Sequence, residues 1–424
     1  MTSMEEPPRT IPPWVKALIL MVTLVGVGVG TATCLRASAG RAWTSMQEKT
    51  RALVAEARAR PAARPVLRGT PEPGNAWTDY DLALNDLAAH KNEVSRIVQF
   101  VSRDPKVDRA AVDKFLAAKT GALDHLRRGA RRAEGAYPYD WDLGPGPLKP
   151  SIQLSNGLAR LAVAQARVLH EAGRTREAAD LLLDLLQFGG DHRRNAAAIG
   201  DVIGASLCGL AIDELKDLLL SGKLKGNELS ELARPLEILD RDWPDYATSL
   251  RNEATVMLVA LGTEDFKFLG GDATWNALRA WQHGFSMRRM AADAADEIVR
   301  YTERAIGHEA LPWIERLKAQ EELKRDVERA ANFFVKLVQP GVGRFGSYER
   351  SPRAKLRLLR FAIHYMTTGG MADLDDPFGS KLRHQEVDGK LRIWSLGRDG
   401  VDQNGVGDWK RDVPPADIIL EIPK

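Results

Sequence analysis

Cysteine is almost missing from this chain: Cys34 and Cys208 are the two in 424 residues. One closes an apolar run and the other falls inside a helical pattern, which argues against a disulfide between them and excludes a cysteine framework. Histidine is scarce as well, with eight in all. His170-Glu171 and His308-Glu309 each begin like a zincin helix, but Arg174 and Pro312 stand where the second histidine belongs. No Gly-x-Ser-x-Gly, P-loop or Cys-x-x-Cys occurs, which removes the commonest signatures of hydrolases, nucleotidases and thiol redox proteins. A charge excess is also lacking. Sixty basic side chains face 57 acidic ones, a formal net charge of +3, so no global field attracts nucleic acid, and nucleic acid is excluded as a partner.

What is present begins with Ala17 to Leu35, an uncharged stretch between Lys16 and Arg36 with Trp14 at the position of an interfacial anchor. It is long enough to span a bilayer and longer than the apolar core of a cleaved signal peptide, although Ala37-Ser38-Ala39 offers a cleavage-like site. No lipoprotein-type box precedes Cys34. Expected is a single-pass transmembrane helix in the bacterial inner membrane. Arg36, Arg41, Lys49 and Arg51 on the far side would by themselves hold the large domain in the cytoplasm; the short tail acts like a signal anchor's and favours an extracytoplasmic body. Gly26 and Gly30 form a Gly-x-x-x-Gly pair through which two such helices could pack as a homodimer, with incidental placement as the competing reading.

The organisation beyond the span is mainly α. Residues 1–36 are tail and anchor, 37–74 a juxtamembrane helix and Pro/Gly linker, 75–370 an α-helical body, and 371–424 a small antiparallel β module. Spacing predicts helices over Trp77–Arg103, Val107–Glu134, Leu158–Ala172, Thr175–Phe188, Asn195–Leu220, Asn227–Leu239, Asp245–Leu261, Asn276–Ile306, Leu311–Leu337 and Arg353–Thr367. Two of these, joined at Gly173, form a helical hairpin of tetratricopeptide type without a second copy. Gly200, Gly204 and Gly209 predict close packing of one helix. Lys381–Val387 and Lys390–Leu396 flank Asp388-Gly389, the dipeptide of a tight type I′ turn, and Ile418–Ile422 supplies a third strand. Asp191-His192 reads as a solvated helix start. The clusters Arg127, Arg128, Arg131, Arg132 and Arg353, Lys355, Arg357, Arg360 read as solvated faces or as contacts for lipid headgroups. Trp275, Trp281 and Trp313 read as core.

One constellation carries chemistry. Asp399, Asp402, Asn404 and Asp408 fall within ten positions among Gly400, Gly405 and Gly407, an oxygen-rich turn of the kind calcium accepts. The spacing is not that of an EF-hand, because Arg411 would stand where a bidentate Glu is required. A plain Asp/Asn/Gly turn without metal is the alternative. The run from Asp375-Asp376-Pro377-Phe378-Gly379 through Ser395-Leu396-Gly397-Arg398-Asp399-Gly400 to Ala416-Asp417-Ile418 resembles the C-terminal module of type II secretion pseudopilins. That resemblance implies calcium held by the Leu396 carbonyl, Asp399 and Asp417, with Asp402 and Asp408 as further ligands. The loop is longer than the family's, contains Lys410 and Arg411, and has His384 in place of a Tyr; no pilin processing site precedes the apolar run. The order of Arg64-Pro65-Val66-Leu67-Arg68-Gly69, Pro73-Gly74-Asn75-Ala76, the helical body and this ending is similar to a group of uncharacterised membrane-anchored bacterial proteins, which implies an architecture and no activity.

The expected function is a non-enzymatic envelope scaffold that binds a protein partner and contacts membrane lipids through one helix. The alternatives are a divergent hydrolase with its site in the helical body and an accessory of a secretion machine.

Overall fold

The computed structural model describes residues 13–142, 152–262, 285–338, 346–409 and 417–423. Helix α1 (Pro13–Ala59) is continuous through the uncharged run and the segment after it. Among the described residues, no helix is long and apolar enough to cross a membrane. Trp14, Lys16, Gly26 and Gly30 fall within α1, but their surroundings lie outside the described residues; Arg36 is exposed.

A short strand β1 (Glu72–Asn75) leads into α2 (Ala76–Ala88), whose start is fixed by Asn75: its side-chain oxygen accepts the Trp77 N–H at 2.9 Å. The expected helix over 77–103 is divided at His90 into α2 and α3 (Lys91–Val101). Helices α4 (Arg109–Ala118) and α5 (Thr120–Arg131) follow, and β2 (Arg132–Glu134) pairs in parallel with β1. Residues 37–74 are built into this structure. Trp43, Met46, Val54 and Ala57 of α1 are buried, and so are Arg64 and Leu67 beyond it.

The predicted hairpin is α6 (Ile152–Glu171) and α7 (Thr175–Arg193), turned at Gly173 with φ +82°. Ala162, Ala166 and Leu169 of α6 and Ala178, Leu182 and Leu185 of α7 are all buried. Helix α8 (Ala198–Leu220) packs on α7 through a close backbone contact. A Cβ at Gly189 would meet Cys208 Sγ at 2.6 Å, and one at Gly204 would collide with the Gly189 carbonyl. Of the three glycines expected to allow that approach, Gly204 does so; Gly200 faces Ala196 just before the helix, and a Cβ at Gly209 would make an ordinary contact with Pro352.

Helices α9 (Asn227–Arg241), α10 (Tyr246–Gly262), α11 (Phe285–His308), α12 (Trp313–Arg329), α13 (Phe333–Val338) and α14 (Gly346–Thr368) complete the body. The expected helix over 311–337 is broken between Arg329 and Phe333. Trp313 is buried as expected; Trp275 and Trp281 lie outside the described residues.

The sheet is antiparallel in the order β3 (Arg383–Val387), β4 (Lys390–Ser395), β5 (Ile418–Pro423). Asp388 and Gly389 both take positive φ, 51° and 72°, as a type I′ turn requires. Leu391, Ile393, Ile418, Leu420 and Ile422 belong to the same hydrophobic cluster as Leu356, Leu359 and Phe361 of α14. The module is thus seated on the helices. Trp409 fastens it further, with its Nε1–H donating to Asp213 of α8 at 2.7 Å. A second cluster joins Trp43 and Met46 to Leu250 and Leu258 of α10, Ile298 of α11, Leu323 of α12 and Phe334 of α13.

The α14 cluster turns inward instead of forming a solvated face, whereas in the α5 cluster Arg128 is exposed and Arg127 pairs with the exposed Asp124. Arg353, Arg357 and Arg360, spaced along one side of α14, all bind the buried Asp240 carboxylate, and Lys355 reaches Asp213 at 2.9 Å. Arg128 and Arg132 both pair with Asp79, while Arg127 pairs with Asp124. Side chains three and four apart share a helix face, so a run read as water-facing can equally converge on one buried acid.

Candidate functional site

The C-terminal loop is assembled around Asp376, the second acid of the Asp-Asp-Pro-Phe-Gly run. Its Oδ1 accepts the Phe378 N–H at 3.0 Å and the Ser395 hydroxyl at 2.7 Å, and its Oδ2 accepts the Leu396 N–H at 2.8 Å. The two motifs of the sequence are therefore one structural unit. Phe378 packs edge to face on Trp313 at 5.1 Å, and Trp313 donates its Nε1–H to the Arg398 carbonyl at 2.9 Å. Gly400 follows with φ +65°, and a Cβ there would meet Trp313 at 2.7 Å, so the loop passes under α12 only as glycine. Gly407 is equally constrained, because a Cβ would run into the Asp417 backbone to which it is bridged.

Asp417 is wholly buried. Its Oδ2 accepts the N–H groups of Gln403 at 3.1 Å and Gly405 at 2.9 Å, whereas its Oδ1 has no hydrogen-bond partner among the described residues. Burial pushes its carboxyl up to about 6; the two N–H bonds oppose the shift, and nearby Asp402 and Asp399 add to it. Asp399 accepts the Val401 N–H at 3.1 Å on one oxygen and the Gln403 side-chain amide at 2.8 Å on the other. Gln403, which sequence reasoning passed over, thus touches both acids, and its own Oε1 is buried without a partner.

The remaining candidates are placed differently. Asp402 accepts the Trp394 Nε1–H at 3.0 Å and forms an ion pair with Arg383 at 2.7 Å, so its carboxylate is already committed. Asp408 is exposed, and the Leu396 side chain is buried beneath the loop. Among the described residues, no group of three or more His, Cys, Asp or Glu is placed to hold a metal ion. Two oxygens of this loop lack a donor among the described residues, Asp417 Oδ1 and Gln403 Oε1, while Asp399 and the main-chain carbonyls, that of Leu396 included, are further hard donors in the same loop. Such a mixed set suits calcium, which takes six to eight oxygen ligands in loose geometry.

A second polar region was not anticipated from sequence. Asp191, His192 and Arg193 close α7 and are all buried, contrary to the expected solvated helix start. Asp191 pairs with Arg64 at 2.6 Å and accepts the Tyr80 hydroxyl at 2.8 Å. Burial lifts its carboxyl to about 6, opposed by Arg64 and Tyr80. His192 lies between Trp77 and Phe188, with ring centroids 4.8 and 4.7 Å away, and burial drives it down to about 3, so it is neutral. Arg193 binds Asp201 at 2.8 Å and Glu349 at 3.1 Å and lies over the Trp243 ring.

The Arg-Pro-Val-Leu-Arg-Gly segment is held along one face of α7 by two of its side chains and one backbone N–H. Arg64 meets Asp191, the Leu67 N–H donates to Gln187 at 2.9 Å, and Arg68 makes two bonds of 2.8 Å to Asp184. Positions 184, 187 and 191 share a helix face, which is the signal that could have revealed this strap. Glu309, bridging Arg316 and Arg350, is lifted to about 7 by burial.

One cleft of about 450 Å³ gathers Arg103, Arg167, His170, Glu171, Glu214 and Asp217. Three of its acids are neutralised in place: Glu214 by Arg167 at 2.7 Å, Glu171 by Arg109 at 2.6 Å and Asp217 by Arg103 at 2.5 Å. The His170 ring is held by the Thr175 hydroxyl at 2.9 Å, and burial keeps its pKa below the usual value. In comparisons with known proteins, no protein family, no curated protein and no solved structure matches this chain.

Proposed function

We propose that the chain is a membrane-anchored, non-enzymatic scaffold of the bacterial envelope that engages a protein partner through its helical body. The observation that carries this reading is the continuity of α1. The uncharged run Ala17–Leu35 has the length of a span, and the same helix continues into a body that buries Trp43, Met46, Val54 and Ala57. Whatever medium holds the run therefore positions the whole body. In this reading Trp14 and Lys16 mark one interface and Arg36 the other, with the body on the extracytoplasmic side of the inner membrane. Binding is favoured over catalysis by the placement of the perturbed carboxylates: Asp191, Asp201 and Glu309 each lie against an arginine in the interior.

The test is to express the full chain in a bacterium, wash the membranes with alkaline carbonate, and add protease to spheroplasts. Retention in the membrane with digestion of the body is expected. Release by carbonate sinks the anchor, and protection of the body sinks the orientation.

The C-terminal loop in this scaffold is a calcium-stabilised turn, a reading supported by the bare Asp417 Oδ1 and Gln403 Oε1. Thermal unfolding in calcium and in chelator tests it directly. A hydrolase is the second reading, favoured by the neutral, oriented His170 in its cleft. Its test is hydrolysis of simple ester and phosphoester substrates by wild type and His170→Ala; equal background rates dispose of it. A role beside a secretion machine is a third reading and rests on the pseudopilin resemblance alone.

A further inference from the structure

Between α1 and α10 runs a groove of about 880 Å³, lined in part by Thr50, Arg51, Val54, Ala55, Trp141 and Val259. That volume falls within the ~300–1,000 Å³ usual for small-molecule sites. Beneath it is a hydrophobic cluster separate from the two larger ones, built from Val54, Ala57, Trp141, Val256 and Val259 with Ala197. Trp141 is nearly wholly buried and stacks on Tyr139 with centroids 4.7 Å apart, which makes the floor a fixed aromatic surface. Charge is confined to the rim. Arg58 is neutralised by Asp142 at 2.7 Å, whereas Arg51 is exposed and has no ion-pair partner among the described residues.

We propose that this groove binds a fatty acid, with its chain over Val54, Trp141 and Val259 and its carboxylate on Arg51. An apolar trough with a single uncompensated cation at its edge matches a ligand that is apolar along its length and anionic at one end. The position along α1 separates a free fatty acid from a bilayer phospholipid. At 1.5 Å per residue Arg51 stands about 24 Å beyond Leu35. The headgroup layer on each side of a bilayer is only about 5–7 Å thick. A chain still seated in the membrane therefore does not reach the groove, and a detached single-chain amphiphile does.

The experiment uses the full chain in nanodiscs on a Trp14→Phe background, so that quenching at the expected bilayer interface does not interfere. Dibromostearate is titrated while tryptophan emission is read. A saturable quenching component is expected that disappears in Trp141→Phe and in Val259→Trp, which fills the trough from the opposite wall. Arg51→Glu should raise the half-quenching concentration by up to about fivefold, as loss of an exposed ion pair implies. Dibromostearyl alcohol, lacking the carboxylate, should bind Arg51→Glu and the unmodified site alike. Quenching that persists in both Trp141→Phe and Val259→Trp overturns the site. Equal quenching by acid and alcohol overturns the role of Arg51, and quenching of Trp141 by brominated phospholipid alone overturns the choice of ligand. The choice of a detached fatty acid over a phospholipid rests on the proposed anchor, which the carbonate wash tests separately; the loss of dibromostearate quenching in Trp141→Phe does not.

Discussion

Asp191 in the helical body and Asp417 in the C-terminal loop are both wholly buried, and burial pushes both carboxyls to about 6. Their surroundings differ in one respect. Asp191 has a cation and a hydroxyl from its own chain, Arg64 and Tyr80, and each of its oxygens is engaged. Asp417 has two backbone N–H groups on one oxygen and nothing on the other. A buried acid with a complete set of partners is an internal joint. One with a bare oxygen, in a loop where the Gln403 Oε1 is also bare, is a joint left incomplete among the described residues, and the proposed calcium would complete it.

The contrast is broken most severely at Arg64. Arg64→Ala leaves Asp191 buried without its counter-charge and should cost about 3–5 kcal/mol, read as a lower midpoint in urea unfolding. A loss under 1 kcal/mol would show that the joint does not hold the strap to α7. The next effect belongs to the loop. Calcium at about a hundred times its dissociation constant should stabilise the protein by about 2.7 kcal/mol. Asp417→Asn should abolish that increment and, in chelator at neutral pH, leave stability equal or higher because it removes a buried charge; an unchanged increment would remove Asp417 as a ligand.

The dependence on pH sharpens the same comparison. In chelator, the folded pKa of Asp417 near 6 exceeds the ~3.9 of an unfolded aspartate. Its contribution to stability is therefore fully present below about pH 4 and declines as pH rises through about 6. Calcium binds the ionised form, so the calcium increment should do the reverse, shrinking as pH falls through about 6. Melting curves between pH 5 and 7.5, in each condition, check both signs. The smallest effect is expected at Asp402, whose partners are already in place and partly exposed. Asp402→Asn should cost no more than about 1 kcal/mol and leave the calcium increment intact. A lost increment would return Asp402 to the ligand set.

Local chemistry made parts of this molecule legible in advance. The positive φ of Gly173 and of Asp388-Gly389 follows from residue type, and the alternation of β4 and β5 and the hairpin of α6 and α7 follow from periodicity. The union of the Asp-Pro-Phe and Ser-Leu-Gly runs through Asp376 was not foreseen, because it joins residues about twenty positions apart. What stayed hidden was pairing over long separations. Nothing local distinguishes Arg64, which is buried on Asp191, from Arg51, which is exposed; nor does the composition of the 353–360 cluster announce that Asp240 lies beneath it. Arginine burial is decided by where an acid arrives in space, and periodicity carries no record of that. Gln403 escaped notice for a related reason, since an amide becomes a candidate ligand only once its oxygen is seen to lack a donor.

Helix α1 has a mechanical meaning beyond its chemistry. Its 47 residues form a rod of about 70 Å, stiffened over its second half by contact with α10 and α11. No swivel separates the end at Pro13 from the end at Ala59. A tilt applied at the first end is therefore passed on through unbroken helix to the second, where the body is packed against it.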